Sequence, residues 1–182
     1  MATLGTVEIA EIDAFIASEK RLVDLAPSPH PTWKAGSNSR HYQASWNIEE
    51  VGRIVRSSLK FRFETGYRDH PSILLVFRAV TVWRVDLIPA LQREPNPPDA
   101  HKLALPPELY GPHTHSWNDN KAFVGANGHR DIPYKRPIPA QVRKFPQAVL
   151  WLAEQVNIAI EPLQRGFDLP EQSELSLRGG RD

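Results

Sequence analysis

The spacing of apolar positions changes along the chain, and each change predicts a different element. Ile9, Ile12, Phe15, Ile16, Leu22 and Val23 form one apolar stripe at helical spacing, and Pro27, Pro29 and Pro31 close it. Pro27 to Ser39 carries Gly, Ser, Asn and three prolines and predicts a loop. From about Arg40 to Ile88 the period becomes two. Tyr42, Ala44, Trp46 and Ile48 alternate with more polar residues, and so do Leu59, Phe61 and Phe63. Gly66 to Pro71 predicts a turn, the continuous apolar run Ser72–Phe77 a central strand, and the β-branched and aromatic run Thr81–Leu87 a further strand. Their short connections favour antiparallel pairing.

Pro89 to Pro112 breaks the pattern, with seven prolines and almost no apolar period, and predicts a long loop. Residues 111–117 predict a short strand and Ala122–Val124 another, joined by an Asn118-Asp119-Asn120 turn. Gly125 to Pro139 again predicts a loop. Pro146 then opens a helix whose stripe is Val149, Leu152, Ala153, Val156 and Ile160, with Trp151 beside it and Pro162 at its end. The expected fold is α+β, a single antiparallel sheet flanked by an N-terminal and a C-terminal helix. One domain is expected over residues 1–166, with a polar, flexible tail over 167–182.

Composition narrows the function classes. The 182 residues are 41% hydrophobic, with 22 Lys+Arg against 21 Asp+Glu, which argues against wholesale disorder. No apolar stretch reaches the roughly 18 residues of a membrane span, and no leader pattern is visible at the start. A soluble, cytoplasmic protein without membrane contact is the expectation. The absence of cysteine removes disulfides, thiolate metal sites and thiol catalysis. No Walker A, Gly-x-Gly-x-x-Gly, His-Glu-x-x-His or Gly-x-Ser-x-Gly sequence is present, which argues against the enzymes those motifs mark.

The candidate chemistry is concentrated in two short stretches. In an extended segment His113 and His115 point to one face. Two such imidazoles can ligate a divalent transition metal, with Asp119 or His129 as a further ligand. They can equally act as an acid/base pair on a phosphodiester, or serve only as a hydrogen-bonded structural pair. Arg84 and Asp86 share a face in the same way. They either pair with each other, or Arg84 fixes an anion while Asp86 orients a histidine ring or holds a metal. Basic residues cluster over 52–68 (Arg53, Arg56, Lys60, Arg62, Arg68) and over 129–145 (Arg130, Lys135, Arg136, Arg143, Lys144), patches that could attract phosphates or simply be solvated.

The run Arg84-Val-Asp86-Leu87, then Asn96-Pro-Pro-Asp99, then His113-Thr-His115 resembles a group of small bacterial proteins of unknown function. In that group an antiparallel sheet is followed by an Arg-x-Asp strand, an Asn-Pro loop and a His-x-His strand. The resemblance covers roughly residues 40 to 125. It implies that Arg84, Asp86, His113 and His115 belong together, and it implies no particular activity. Gly111-Pro-His113-Thr-His115, followed by Asp119 and Gly125, is also similar to a piece of the cupin metal motif. That similarity implies a metal-binding protein, although six or more evenly spaced strands would then be needed.

Three functions follow as expectations. In the first, His113 and His115 share acid and base roles on a phosphodiester, such as RNA or another phosphate-bearing ligand, and Arg84 stabilises the developing charge. In the second, His113 and His115 bind a divalent transition metal with Asp119 or His129. In the third, the protein is a non-catalytic interaction module with a protein partner, of the phage-defence or toxin–antitoxin type.

Overall fold

The computed structural model describes residues 7–23, 30–36, 40–127, 131–165 and 167–170, with side chains of 53–55 excepted. In chain order the elements are α1 (Ile9–Ala17), β1 (Lys20–Val23), β2 (Lys34–Ala35), β3 (His41–Glu50), β4 (Arg53–Glu64), β5 (Ser72–Phe77) and β6 (Val80–Asp86). Then come β7 (Arg93–Pro95), β8 (Glu108–Tyr110), β9 (His113–His115), α2 (Trp117–Asn127), β10 (Arg136–Pro137), α3 (Phe145–Gln155) and β11 (Ile158–Ala159).

The expected α+β class is present, with a larger sheet than anticipated. Nine strands join in the order β10-β9-β6-β5-β4-β3-β1-β11, with β2 paired to β3, and β7 and β8 form a separate two-stranded sheet. The four strands expected between residues 40 and 88 are all found, as an antiparallel meander. One pair departs from the expected antiparallel sheet: β11 runs parallel to β1, with Lys20 opposite Ile158. No hairpin joins β1 to β11, so no tight turn imposes an antiparallel direction on them.

Alternation along the meander builds the core. Leu59, Phe61, Ile73, Leu75 and Val85 are fully buried, while Lys60 and Arg62 between them are exposed. α1 covers this face by stacking Phe15 on Phe77, with ring centroids 4.4 Å apart, and α3 covers it through Phe145 on Phe61 at 5.3 Å. Burial of each such side chain contributes roughly 1.5–3 kcal/mol. Phe167 reaches the same face, 4.8 Å from the Trp46 ring, although it lies in the stretch expected to be a polar tail.

Several expected elements end or change sooner. The first helix stops at Ala17, and Leu22 and Val23 belong to β1 instead. The fully buried Lys20 folds back and donates from Nζ to the carbonyls of Phe15, Ile16 and Ser18, which the helix end leaves open. The last helix likewise stops at Gln155, because Asn157 turns left-handed (φ 53) and sends the chain into β11 before Pro162.

The segment Ala122–Val124 is helical in α2, and the Asn118-Asp119-Asn120 stretch is its first turn rather than a loop. Ser116 decides this. Its Oγ accepts the Asp119 N–H at 3.1 Å and donates to Asp119 Oδ2 at 2.6 Å, so the helix start is capped. The proline-rich stretch 89–112 is not one loop: it holds β7, a 3-10 turn over Ala100–Leu103, and β8. β10 interrupts the second expected loop. Strands of two or three residues are too short to show a period in sequence.

Candidate functional site

β6 and β9 pair antiparallel, with Arg84 opposite His115 and Asp86 opposite His113. Residues two apart in a strand share a face, so all four side chains project from the side of the sheet opposite the α1–α3 layer. β5 adds Ser72, directly across from Asp86. The proline-rich stretch, α2 and residues 131–135 cover this end of the face. His113 and His115 are 2% and 1% exposed, and Asp86 is 9% exposed.

The hydrogen bonds fix how these groups point. His113 Nδ1 lies 3.1 Å from the Gly111 carbonyl and His115 Nδ1 lies 2.5 Å from the Ile132 carbonyl. A carbonyl oxygen only accepts, so each Nδ1 carries a proton and each ring turns its Nε2 inward. Both Nε2 atoms approach the same oxygen: Asp86 Oδ2 is 3.4 Å from His113 Nε2 and 3.3 Å from His115 Nε2. Asp86 Oδ1 accepts from Ser72 Oγ at 2.5 Å. Arg84 lies across the opening and donates from Nε to Asp86 Oδ2 at 2.8 Å and from Nη2 toward His115 Nε2 at 2.7 Å.

The charges follow from these contacts. Burial alone would raise the Asp86 carboxyl. Hydrogen bonds from His113 and His115, the Arg84 charge and Ser72 outweigh it and hold the group well below the usual carboxylate range. Burial pushes the His115 imidazole below its ordinary value, with the Arg84 charge adding to this and Asp86 opposing it. Asp86 is therefore ionised and His115 neutral near pH 7, the protonation states that metal ligands require.

The frame around the histidines is built by residues that carry no functional signal in sequence. Gly111 has φ +75, and a Cβ there would lie 3.1 Å from Ala90 Cα, so only glycine brings its carbonyl under His113 without strain. Two buried asparagines clamp the neighbouring segment. Asn120 accepts the Tyr134 N–H at 2.8 Å and donates to the Tyr134 carbonyl at 3.0 Å, and Asn96 holds Lys135 in the same way at 2.8 and 2.9 Å. An Asn side chain presents the same donor and acceptor pair as a backbone amide. Segment 131–135, which supplies the Ile132 carbonyl, is thus held as if by two extra strands.

Of the residues singled out from sequence, Arg84, Asp86, His113 and His115 converge. Asp119 does not join them: its carboxylate is taken by Arg136, at 2.6 and 2.9 Å, and by Ser116, and it belongs to the α2 cap. His129 lies outside the described residues. Ser72 is a member that sequence reasoning missed. The only hint was a polar residue heading the apolar run of β5. The basic run over 129–145 is largely engaged, with Lys135 on Glu94 at 2.9 Å and Arg136 on Asp119. In the other run, Arg56, Lys60 and Arg62 are exposed.

A cleft of about 300 Å³ opens onto the site and is lined by Leu74, Thr81, Arg84, Val124, Asp131 and Ile132, among others. Of the four converging residues Arg84 is the one that lines this cleft, and its guanidinium contacts Asp86 and His115. Asp86, His113 and His115 each offer one ligand atom, and the three atoms lie within 4.8 Å of one another. Comparison of the chain with protein families, curated proteins and solved structures finds no match.

Proposed function

We propose that Asp86, His113 and His115 bind one divalent transition-metal ion in a site of the catalytic kind, open toward the Arg84 cleft. The observation that carries this is the convergence of two imidazole Nε2 atoms on one ionised oxygen, each ring held by a backbone carbonyl at its other nitrogen. Ring nitrogens that ligate metals are anchored in this manner. Two donors each about 2.0–2.1 Å from one tetrahedral ion stand about 3.3 Å apart. The two Asp86–histidine separations, 3.4 and 3.3 Å, match that spacing. Three protein ligands leave coordination positions for water or substrate, whereas structural sites are closed by four. The ion would supply Lewis acidity and an activated water. Arg84 is the resident cation that it would displace.

A second reading is favoured by the Arg84 fork itself. Without a metal, His113 and His115 would share acid and base roles on a phosphodiester, and Arg84 would stabilise the charge that develops. Elemental analysis of untagged protein separates the two. The metal reading expects about one equivalent of zinc, iron or manganese, lost on Asp86→Asn or His115→Ala. It also expects Arg84→Met to tighten metal binding roughly tenfold, since a competing charge is removed. Less than about a tenth of an equivalent, with no rise in melting temperature on adding Zn²⁺ or Mn²⁺, overturns it.

A further inference from the structure

The face of the sheet that carries the site continues beyond it. Cross-strand register places Lys60 beside Leu74, Leu74 beside Arg84, and Arg84 beside His115. A second row runs Gln43, Arg62, Ser72, Asp86, His113. Strands are about 4.8 Å apart, so Lys60 and Arg62 stand roughly 10 Å from the Arg84–Asp86 strand, on its own face. Gln43, Ser45 and Asn47 of β3 are exposed there, and so are Arg56, Lys60 and Arg62 of β4. Among the described residues of this face between Gln43 and Asn47 on β3, Arg56 and Arg62 on β4, and Ser72 and Leu74 on β5, none is a carboxylate. The carboxylates that border the patch are already engaged: Asp86, opposite Ser72, with Arg84, Glu49 with Arg21, and Glu64 with His41.

We propose that this open face binds the backbone of a single-stranded nucleic acid and leads one phosphodiester past Lys60 and Leu74 to the Arg84 cleft. Charge complementarity is the first support. Arg56, Lys60 and Arg62 lie on one strand face at two- and four-residue spacing, and Lys60 and Arg62 stand about 7 Å apart, comparable with successive phosphates of an extended strand. The second support is what the face lacks. Its apolar members are Leu74 and, opposite Ser58, the buried Val76, so it has none of the aromatic anchors or broad hydrophobic core that a protein partner would need. Size is the third. A cleft of about 300 Å³ admits a nucleotide and excludes a duplex. No aromatic ring lies on the face among its described residues, so bases are not stacked, and binding is read from the backbone, with little sequence preference and steep salt dependence.

The proposal rests on the metal reading only for where the strand is led, so the two can fail separately. Fluorescence anisotropy of a labelled twelve-nucleotide oligouridine with the metal-free full chain tests it. Saturable binding is expected. Substituting Arg56, Lys60 and Arg62 together by Ser should weaken it at least tenfold and flatten the log K against log salt slope by about 0.7 per cation removed. Arg143→Ser, an exposed charge elsewhere, should leave it unchanged, and the triple variant should take up metal as the parent protein does. Absence of saturable binding, an unchanged affinity in the triple variant, or tighter binding to a duplex or to vesicles rich in anionic lipid would each overturn it.

Discussion

At the scale of single residues, the site is defined by protons. His113 and His115 are buried and each gives its Nδ1 proton to a backbone carbonyl, so Nε2 is left to accept or to ligate. This has a consequence for pH. The folded-state value of His115 is lowered by burial, and that of Asp86 lies well below the usual carboxylate range. When a folded pKa is below the unfolded one, the unfolded chain takes up the proton first, and stability is lost as pH falls. Metal-free protein should therefore begin to lose melting temperature below about pH 6.5, through His115, and lose more below about pH 3.9, through Asp86. His115→Gln should flatten the upper part of a melting-temperature profile recorded from pH 8 to 3. A profile with the same upper slope in that variant would show that another group causes it.

At the scale of elements, short pieces are placed by side chains that imitate backbone. Segment 131–135 has no strand neighbour over most of its length, and Asn120 and Asn96 supply the missing donors and acceptors. Asn120 is fully buried on α2 and also donates to the Ser116 carbonyl at the helix start. One residue thus couples the α2 cap to the segment that holds His115. Asn120→Ala orphans the Tyr134 N–H and carbonyl, and should cost roughly 2–3 kcal/mol in urea unfolding. Metal affinity should fall with it, because the Ile132 carbonyl would no longer fix the His115 ring. A loss below about 0.5 kcal/mol would mean that the segment is held by other contacts.

At the scale of the molecule, the sheet separates two tasks. One face carries the hydrophobic layer of α1, α3 and Phe167, and the other carries the polar site and the basic strand. Substitutions of the exposed strand residues on the second face, such as Lys60 and Arg62, should leave the fold intact, since exposed side chains contribute within about 0.5 kcal/mol. Substitutions in the first should not. Phe167 is 3% exposed, with its ring against Trp46 and Phe145. Phe167→Ala should destabilise the protein by roughly 3–5 kcal/mol, as core aromatics do. A change smaller than about 1 kcal/mol in thermal or denaturant unfolding would show that the stretch after 166 is not integral to the core.

The meander was legible in the sequence because a half-buried strand must alternate, and Tyr42–Ile48 and Leu59–Phe63 alternate while Ser72–Phe77 and Thr81–Leu87 are apolar or β-branched runs. Arg84 with Asp86 and His113 with His115 were legible as two same-face pairs for the same reason. Their joining was not. Only the β6–β9 register brings the pairs together, and that depends on contacts across the proline-rich stretch. The same limit explains why the sequence pointed to Asp119 as the acidic neighbour of the histidines. Asp119 is near the histidines in sequence, yet Ser116 draws it into a helix cap, while Asp86 reaches them across a strand pair. Local pattern determines period, and hence which side chains share a face. Register and burial, which decide partners, are set by the whole chain at once.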